Sequence, residues 1–275
     1  MIPSKRLPVY FHRDQLKHHP LYEWAFGMKM DHPETTNRAE LILKAITKDS
    51  ARFELRTPTQ IRERSINRVH NPDLVTLYTA AEDLPKGKTF YPNVFPKRDQ
   101  CRPNPSDLNQ AGYYCFDSGT PLTATTRNAA FWSASCALAA AKEVSANKSR
   151  VAYALCRPPG HHASRSLSGG YCYFNNAAIA VEELRKNGGR IAVLDIDFHH
   201  GNGTQSIFFR DKDVLFVSIH GDPRKYYPYF SGHSNETGIG LGEGTTLNFP
   251  LPGKCDGQEY FPVLSRKPLP AIPRF

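Results

Sequence analysis

Three short apolar runs constrain this chain more than any other feature: VAYALC at 151–156, IAVLDIDF at 191–198 and VLFVSIH at 214–220. They are short, rich in β-branched residues and mostly continuous in apolar character, so each reads as a parallel strand buried on both faces. Between the first two lies NNAAIAVEELRKNGG, at 175–189, a helical pattern with charges on one face and a glycine stop. A shorter helical stretch at 204–209 separates the second run from the third. Strand, helix, strand, helix and strand in succession imply crossover units, and hence a three-layer α/β fold around a mainly parallel sheet.

Upstream, NRAELILKAIT at 37–47 shows helical spacing behind HPETT, which supplies capping residues and a proline. The alanine-rich RNAAFWSASCALAAAKEVSA, at 127–146, reads as a helix packed closely on a sheet. Residues 85–109, rich in Pro, Asn, Asp and Lys, read as a long surface loop. With 275 residues and 40% hydrophobic content the chain can bury a substantial core. One domain is expected over 1–260, followed by an irregular tail at 261–275 whose prolines at 262, 268, 270 and 273 argue against a long helix and whose composition looks non-native or disordered.

Composition excludes several classes. The N-terminal residues lack a signal-peptide pattern and no run of eighteen apolar residues occurs, so a cytoplasmic protein without membrane association is expected. Six widely spaced cysteines read as reduced thiols. The net charge of +9 is spread along the chain, which argues against a dedicated nucleic-acid surface.

Polar residues gather directly behind the apolar runs. RPPGHHA follows the first, HHGNG the second and GDP the third. In open α/β sheets such loops, at the carboxyl ends of strands, form the ligand site. His161, His162, Asp195, Asp197, His199, His200 and His220 are therefore expected at one rim. Strand alternation in DIDFH would turn Asp195, Asp197 and His199 to one side. A carboxylate beside an imidazole suits Zn²⁺ or another borderline divalent ion. An isolated Asp-x-His is more often structural, but the neighbouring histidine loops reverse that weighting.

His161 and His162 follow the rigid turn PPG. Near a metal-bound water one of them can take a proton while the other stabilises charge or protonates a leaving group. Gly169 and Gly170 allow close backbone approach, with Tyr171 as an aromatic wall and KYYPYF, at 225–230, as an opposite one. A nucleophilic role for Cys156 is outweighed by that of a buried structural thiol. No GxSxG elbow, phosphate-binding GxxxxGK[ST], HExxH or GxGxxG turn is present.

RPPGHHA (157–163), GGYCYFNNAAIA (169–180), VLDIDFHHGNGTQSIFF (193–209) and SIHGDP (218–223) resemble the signature blocks of the histone deacetylase superfamily. GYYCFD (112–117) and the HGDP variant are most similar to its bacterial acetylpolyamine amidohydrolase branch, while HPETTNRAE (32–40) and VHNPDLV (69–75) resemble its N-terminal blocks. The resemblance implies an arginase/deacetylase-like fold and zinc-dependent removal of acetyl groups from an acetylpolyamine or an acetyl-lysine peptide. It implies Asp197 and His199 as zinc ligands, and His161 and His162 as the catalytic pair with His162 as general base. It further implies that Asp195 orients His161 and, with Ser218, binds a structural monovalent cation, K⁺. Gly170, Tyr171 and Tyr227 would line a substrate tunnel, and Asn202 stands where some members place an aspartate behind the second histidine. A homo-oligomer is left open.

The family's third zinc ligand, in a G-x-D-x-x-x-x-D-P block, and the tyrosine of its late GGY block do not occur after Glu259. A C-terminally truncated form of the fold is therefore expected. Two ligands predict weak metal binding, and the alternative to an active deacetylase is an inactive remnant that at most binds metal or a partner.

Overall fold

The computed structural model describes residues 6–95 and 103–275. It divides into two compact units, Met1–Leu184 and Arg185–Phe275.

The first unit runs β1 (Leu7–Tyr10), β2 (Tyr22–Ala25), β3 (Met28–Asp31), α1 (Asn37–Lys48), β4 (Phe53–Arg56), α2 (Glu63–Ile66), α3 (Pro72–Ala80), β5 (Thr89–Phe90), β6 (Leu122–Thr123), α4 (Thr126–Ser145), β7 (Tyr153–Ala154) and α5 (Asn176–Leu184). A parallel sheet of order β4-β1-β7 is joined by two antiparallel pairs, β2-β3 and β5-β6. Residues 96–102, in the middle of the expected loop and including Cys101, lie outside the described residues. The flanks of that loop carry β5 and a 3₁₀ turn at Leu108–Tyr113.

Helix α4 packs on α5, β1 and β7. Its buried Ala129, Ala130, Ala134, Ala137, Ala140 and Ala141 present almost no side chain, so neighbouring backbones approach closely. The first apolar run pairs with β1 only at Tyr153 and Ala154, with Leu155 N–H adding one bond to the Tyr10 carbonyl. It is shorter than the run because the Arg157 N–H turns to the Gln15 side chain (2.7 Å) and Pro158 has no N–H to continue the ladder. Arg157 itself is fully buried. Its guanidinium donates to the carbonyls of Gln15 (2.9 Å), His18, Thr35 (3.2 Å) and Glu34 (3.2 Å) and pairs with the Glu34 carboxylate at 3.1 Å. The segments around His18 and Glu34 are thereby tied to the 157–163 loop.

The second unit runs β8 (Ile191–Asp195), α6 (Asn202–Phe208), β9 (Val214–Gly221), β10 (Thr246–Leu251), α7 (Gly257–Arg266) and α8 (Pro268–Ala271). Its parallel sheet has the order β10-β9-β8, with Asp195 opposite Ser218. Every residue of β9 is buried, as a continuous apolar run requires.

The ending differs from its expected irregularity. The Asp256 carboxylate caps α7 by accepting the N–H groups of Gln258 (2.8 Å) and Glu259 (3.2 Å). Pro262 removes one bond inside α7, while Pro268 opens α8 at a position that needs no N–H. The cap and the placement of Pro268 allow two short helices where the prolines argued only against a long one and the tail was expected to be irregular. Among the described residues no helix is long and apolar enough to cross a membrane.

Candidate active-site residues

In the first unit the loop after β7 is pinned at both ends by side chains of its neighbours. Ser133 donates its hydroxyl to the Pro158 carbonyl (2.7 Å), Asn176 adds a second bond there (3.2 Å), and Asn175 holds the Ala163 carbonyl (3.0 Å). The pinning presents His161 and His162 with ring centroids 4.0 Å apart. His162 is buried and His161 partly so.

Gly170 lies against His162 and has φ of +54°. A β-carbon there would sit 2.1 Å from His162 Cδ2, so the close approach requires glycine. Asp117 fixes this turn by accepting the N–H of Gly170 at 2.6 Å. Tyr171, also left-handed at φ +64°, gives its N–H to Thr120 Oγ1 (2.9 Å) and its hydroxyl to Glu23 Oε2 (2.8 Å). Its ring meets that of His32 at 4.7 Å. Burial raises the Glu23 carboxyl, opposed by the Tyr171 hydrogen bond, and burial lowers His32 to about 4.

Glu23, His32, Asp117 and Thr120 did not emerge individually from the sequence as site residues. Glu23 carried one signal, a lone carboxylate in the apolar hairpin YEWAFGMKM. His70 was missed as well. Its Nδ1–H donates to the Ser164 carbonyl (2.9 Å) and its Nε2 accepts the Asn175 N–H (2.8 Å), which fixes a neutral ring, and burial lowers it to about 4. Cys156 donates to the Ser133 carbonyl (3.3 Å) and burial pushes its thiol up to about 11, as a structural thiol requires.

In the second unit strand alternation does not carry Asp195, Asp197 and His199 to one side. Strand β8 ends at Asp195, and tight turns follow. Asp195 Oδ1 accepts the Asp197 N–H (3.0 Å) and Asp197 Oδ1 accepts the His199 N–H (2.8 Å). These side chain to backbone bonds compete with strand pairing and bend the chain. They bring His199 Nδ1 to 3.5 Å from Asp197 Oδ1 and the His199 ring to 6.0 Å from Tyr227.

Behind this loop lies a buried polar network. His220 Nε2–H donates to the Gly232 carbonyl (2.8 Å), so its Nδ1 accepts the Ser218 hydroxyl proton at 2.8 Å. Ser218 stands in register with Asp195 across the β8-β9 ladder. The His200 ring sits 4.7 Å from His220, and burial lowers it to about 3, helped by that neighbour. His200 Nε2–H donates to Gln205 Oε1 (3.0 Å), and Gln205 donates in turn to Glu236.

Asp197 and His199 offer the oxygen and nitrogen donors that zinc accepts. Among the described residues, however, no group of three or more His, Cys, Asp or Glu side chains is placed to hold a metal ion. The donor chemistry fits the ion, and the donor number does not.

The sequence profile of the histone deacetylase domain matches residues 32–275. Acetylpolyamine amidohydrolase 2 of Pseudomonas aeruginosa is 43% identical over 249 residues, covering 88% of this chain and 72% of the relative. Acetylpolyamine amidohydrolase of Burkholderia pseudomallei is 41% identical over 262 residues, covering 92% of this chain and 74% of the relative. A crystal structure of acetylpolyamine aminohydrolase from Burkholderia pseudomallei superposes with a TM-score of 0.89 at 37% identity, covering 98% of this chain and 78% of the other.

Proposed function

This chain belongs to the histone deacetylase family, and on that premise we propose that it is an amidohydrolase that removes acetyl groups from acetylated amines, with acetylpolyamines as first substrates and acetyl-lysine peptides as second. The observation that carries the reading is the His161–His162 pair, with rings 4.0 Å apart, locked by the 157–163 loop and by the bare α-carbon of Gly170. Two adjacent imidazoles held so closely suit a reaction that needs a proton taken from water and a proton returned to an amine. His162 accepts the proton of the attacking water. His161 then serves the leaving nitrogen.

The hydrogen bonds to Asp117 and Glu23 hold Gly170, which lies against His162, and Tyr171, the wall residue next to it. Tyr227 stands beside His199 as a wall residue of its own unit. A divalent ion such as zinc would be held by Asp197 and His199, and when bound it polarises the acetyl carbonyl and acidifies water. Because the described residues place no third donor with them, no step is derived through it. Ser218 and Asp195 would take K⁺, a role supported by the direction of the Ser218 proton toward His220.

The test is release of acetate from N-acetylputrescine and from an acetyl-lysine peptide by the purified chain. The expected result is turnover that falls by about a hundredfold or more in His162→Ala. A chain that binds zinc but turns over neither substrate would return the non-catalytic reading.

A further inference from the structure

The loop between β9 and β10 carries the aromatic residues 226–230, and its far end is held by one carboxylate that has no assigned part in the reaction. Glu236 accepts the Gly232 N–H at both oxygens (3.1 and 3.0 Å) and the His233 N–H at Oε1 (3.0 Å). It also accepts the Gln205 amide N–H. Gln205 is locked by Asn248 (2.7 Å) and by His200 (3.0 Å). With the longer bond from the Ser231 hydroxyl (3.5 Å), four donors converge on one ionised group and make a strong, directional clamp.

The clamp sets where the loop lies. Gly232 has φ of +107°, and a β-carbon on it would meet His200 Cγ at 2.6 Å and His220 Nε2 at 2.8 Å. The backbone is therefore pressed flat on both rings, and the Gly232 carbonyl takes the His220 N–H. At its near end the same loop sets Tyr226 5.0 Å from Phe198 and Tyr227 6.0 Å from His199. One end of the loop is clamped and the other faces the residues that would hold the metal.

We propose that Glu236 is a positioning residue: by clamping Gly232 and His233 it fixes Tyr227 against His199 and so sets where that aromatic wall of the second unit stands. The inference rests on the proposed deacetylase reading. A carboxamide at 236 offers one acceptor oxygen in place of two and turns an NH₂ toward its own donors, so the loop loosens without a change in side-chain size.

The experiment compares wild type, Glu236→Gln, Glu236→Asp, Tyr227→Ala and the Glu236→Gln/Tyr227→Ala double variant, with N-acetylputrescine as substrate. Glu236→Gln is expected to raise KM about tenfold with kcat within about twofold, the pattern of lost uniform binding. Glu236→Asp gives an intermediate KM, and the effect of Glu236→Gln vanishes in the Tyr227→Ala background, because the clamp acts through that ring. An undiminished effect in that background, a fall in kcat at constant KM, or no change in KM overturns the proposal. Amide hydrogen exchange across 226–233 is measured in parallel and is expected to accelerate in Glu236→Gln. Unchanged exchange sinks the clamp even if wild type proves inactive, so failure of the clamp is distinguishable from failure of the deacetylase reading.

Discussion

Replacing Gly170 by alanine tests the close contact between the backbone and His162 in the candidate site. The residue sits at φ +54°, a region that costs an L side chain about 1–2 kcal/mol. The new methyl would also lie 2.1 Å from His162 Cδ2 and 2.7 Å from Cγ. Carbon atoms need about 3.5 Å, so an opening of about 1.4 Å must come from somewhere. The backbone cannot easily yield, because Asp117 holds the Gly170 N–H at 2.6 Å and Thr120 holds the Tyr171 N–H at 2.9 Å. His162 must move instead.

Overpacking adds about 1–3 kcal/mol to the backbone cost, giving roughly 2–5 kcal/mol in all. Thermal melts should show Tm lowered by roughly 5–15 °C. A displacement of His162 by about an ångström should lower kcat/KM on N-acetylputrescine by about a hundredfold. Gly188→Ala is the control: it has φ of +78° but nothing within 4 Å, so it bears the backbone cost alone, about 1–2 kcal/mol, and leaves activity intact. The reasoning is refuted if Gly170→Ala melts like Gly188→Ala and retains wild-type kcat/KM.

Three further outcomes are expected. Unfolded His70 binds a proton below its ordinary value near 6.5, whereas the folded ring resists one until about 4, because burial penalises the charged ring more than the hydrogen bond to the Ser164 carbonyl favours it. Stability is therefore fully present above about 6.5 and falls by about 3 kcal/mol as pH drops to about 4; urea melts of His70→Gln should show a shallower loss, and parallel profiles would exclude the assignment. Arg157→Met should destabilise by about 3–5 kcal/mol in chemical melts, since it strands a buried Glu34 carboxylate and four carbonyls, with Arg157→Met/Glu34→Gln recovering part of the loss. Calorimetric zinc titration should show a weak site that Asp197→Ala and His199→Ala each weaken further; heats unchanged by both variants would remove them as ligands.

The sequence by itself determined two of the second unit's strands, β8 and β9, and the helices around Asn37–Lys48 and Thr126–Ser145, because apolar periodicity is a local property that burial enforces residue by residue; β10 was not read from it. It also picked out His161, His162, Asp197 and His199, since their spacing behind strand ends is written in consecutive residues. Tertiary structure alone decided the rest. Glu23 reaches Tyr171 across 148 positions, and Gln15 takes the Arg157 N–H across 142, distances at which no periodicity links the partners. The bend after Asp195 overrode strand alternation because side chain to backbone bonds from Asp195 and Asp197 replaced the ladder. The Asp256 cap kept the proline-bearing ending helical for the same reason, a specific hydrogen bond outweighing a compositional tendency. Pattern records which faces must be buried, whereas the partner of each polar group is chosen only when distant segments meet.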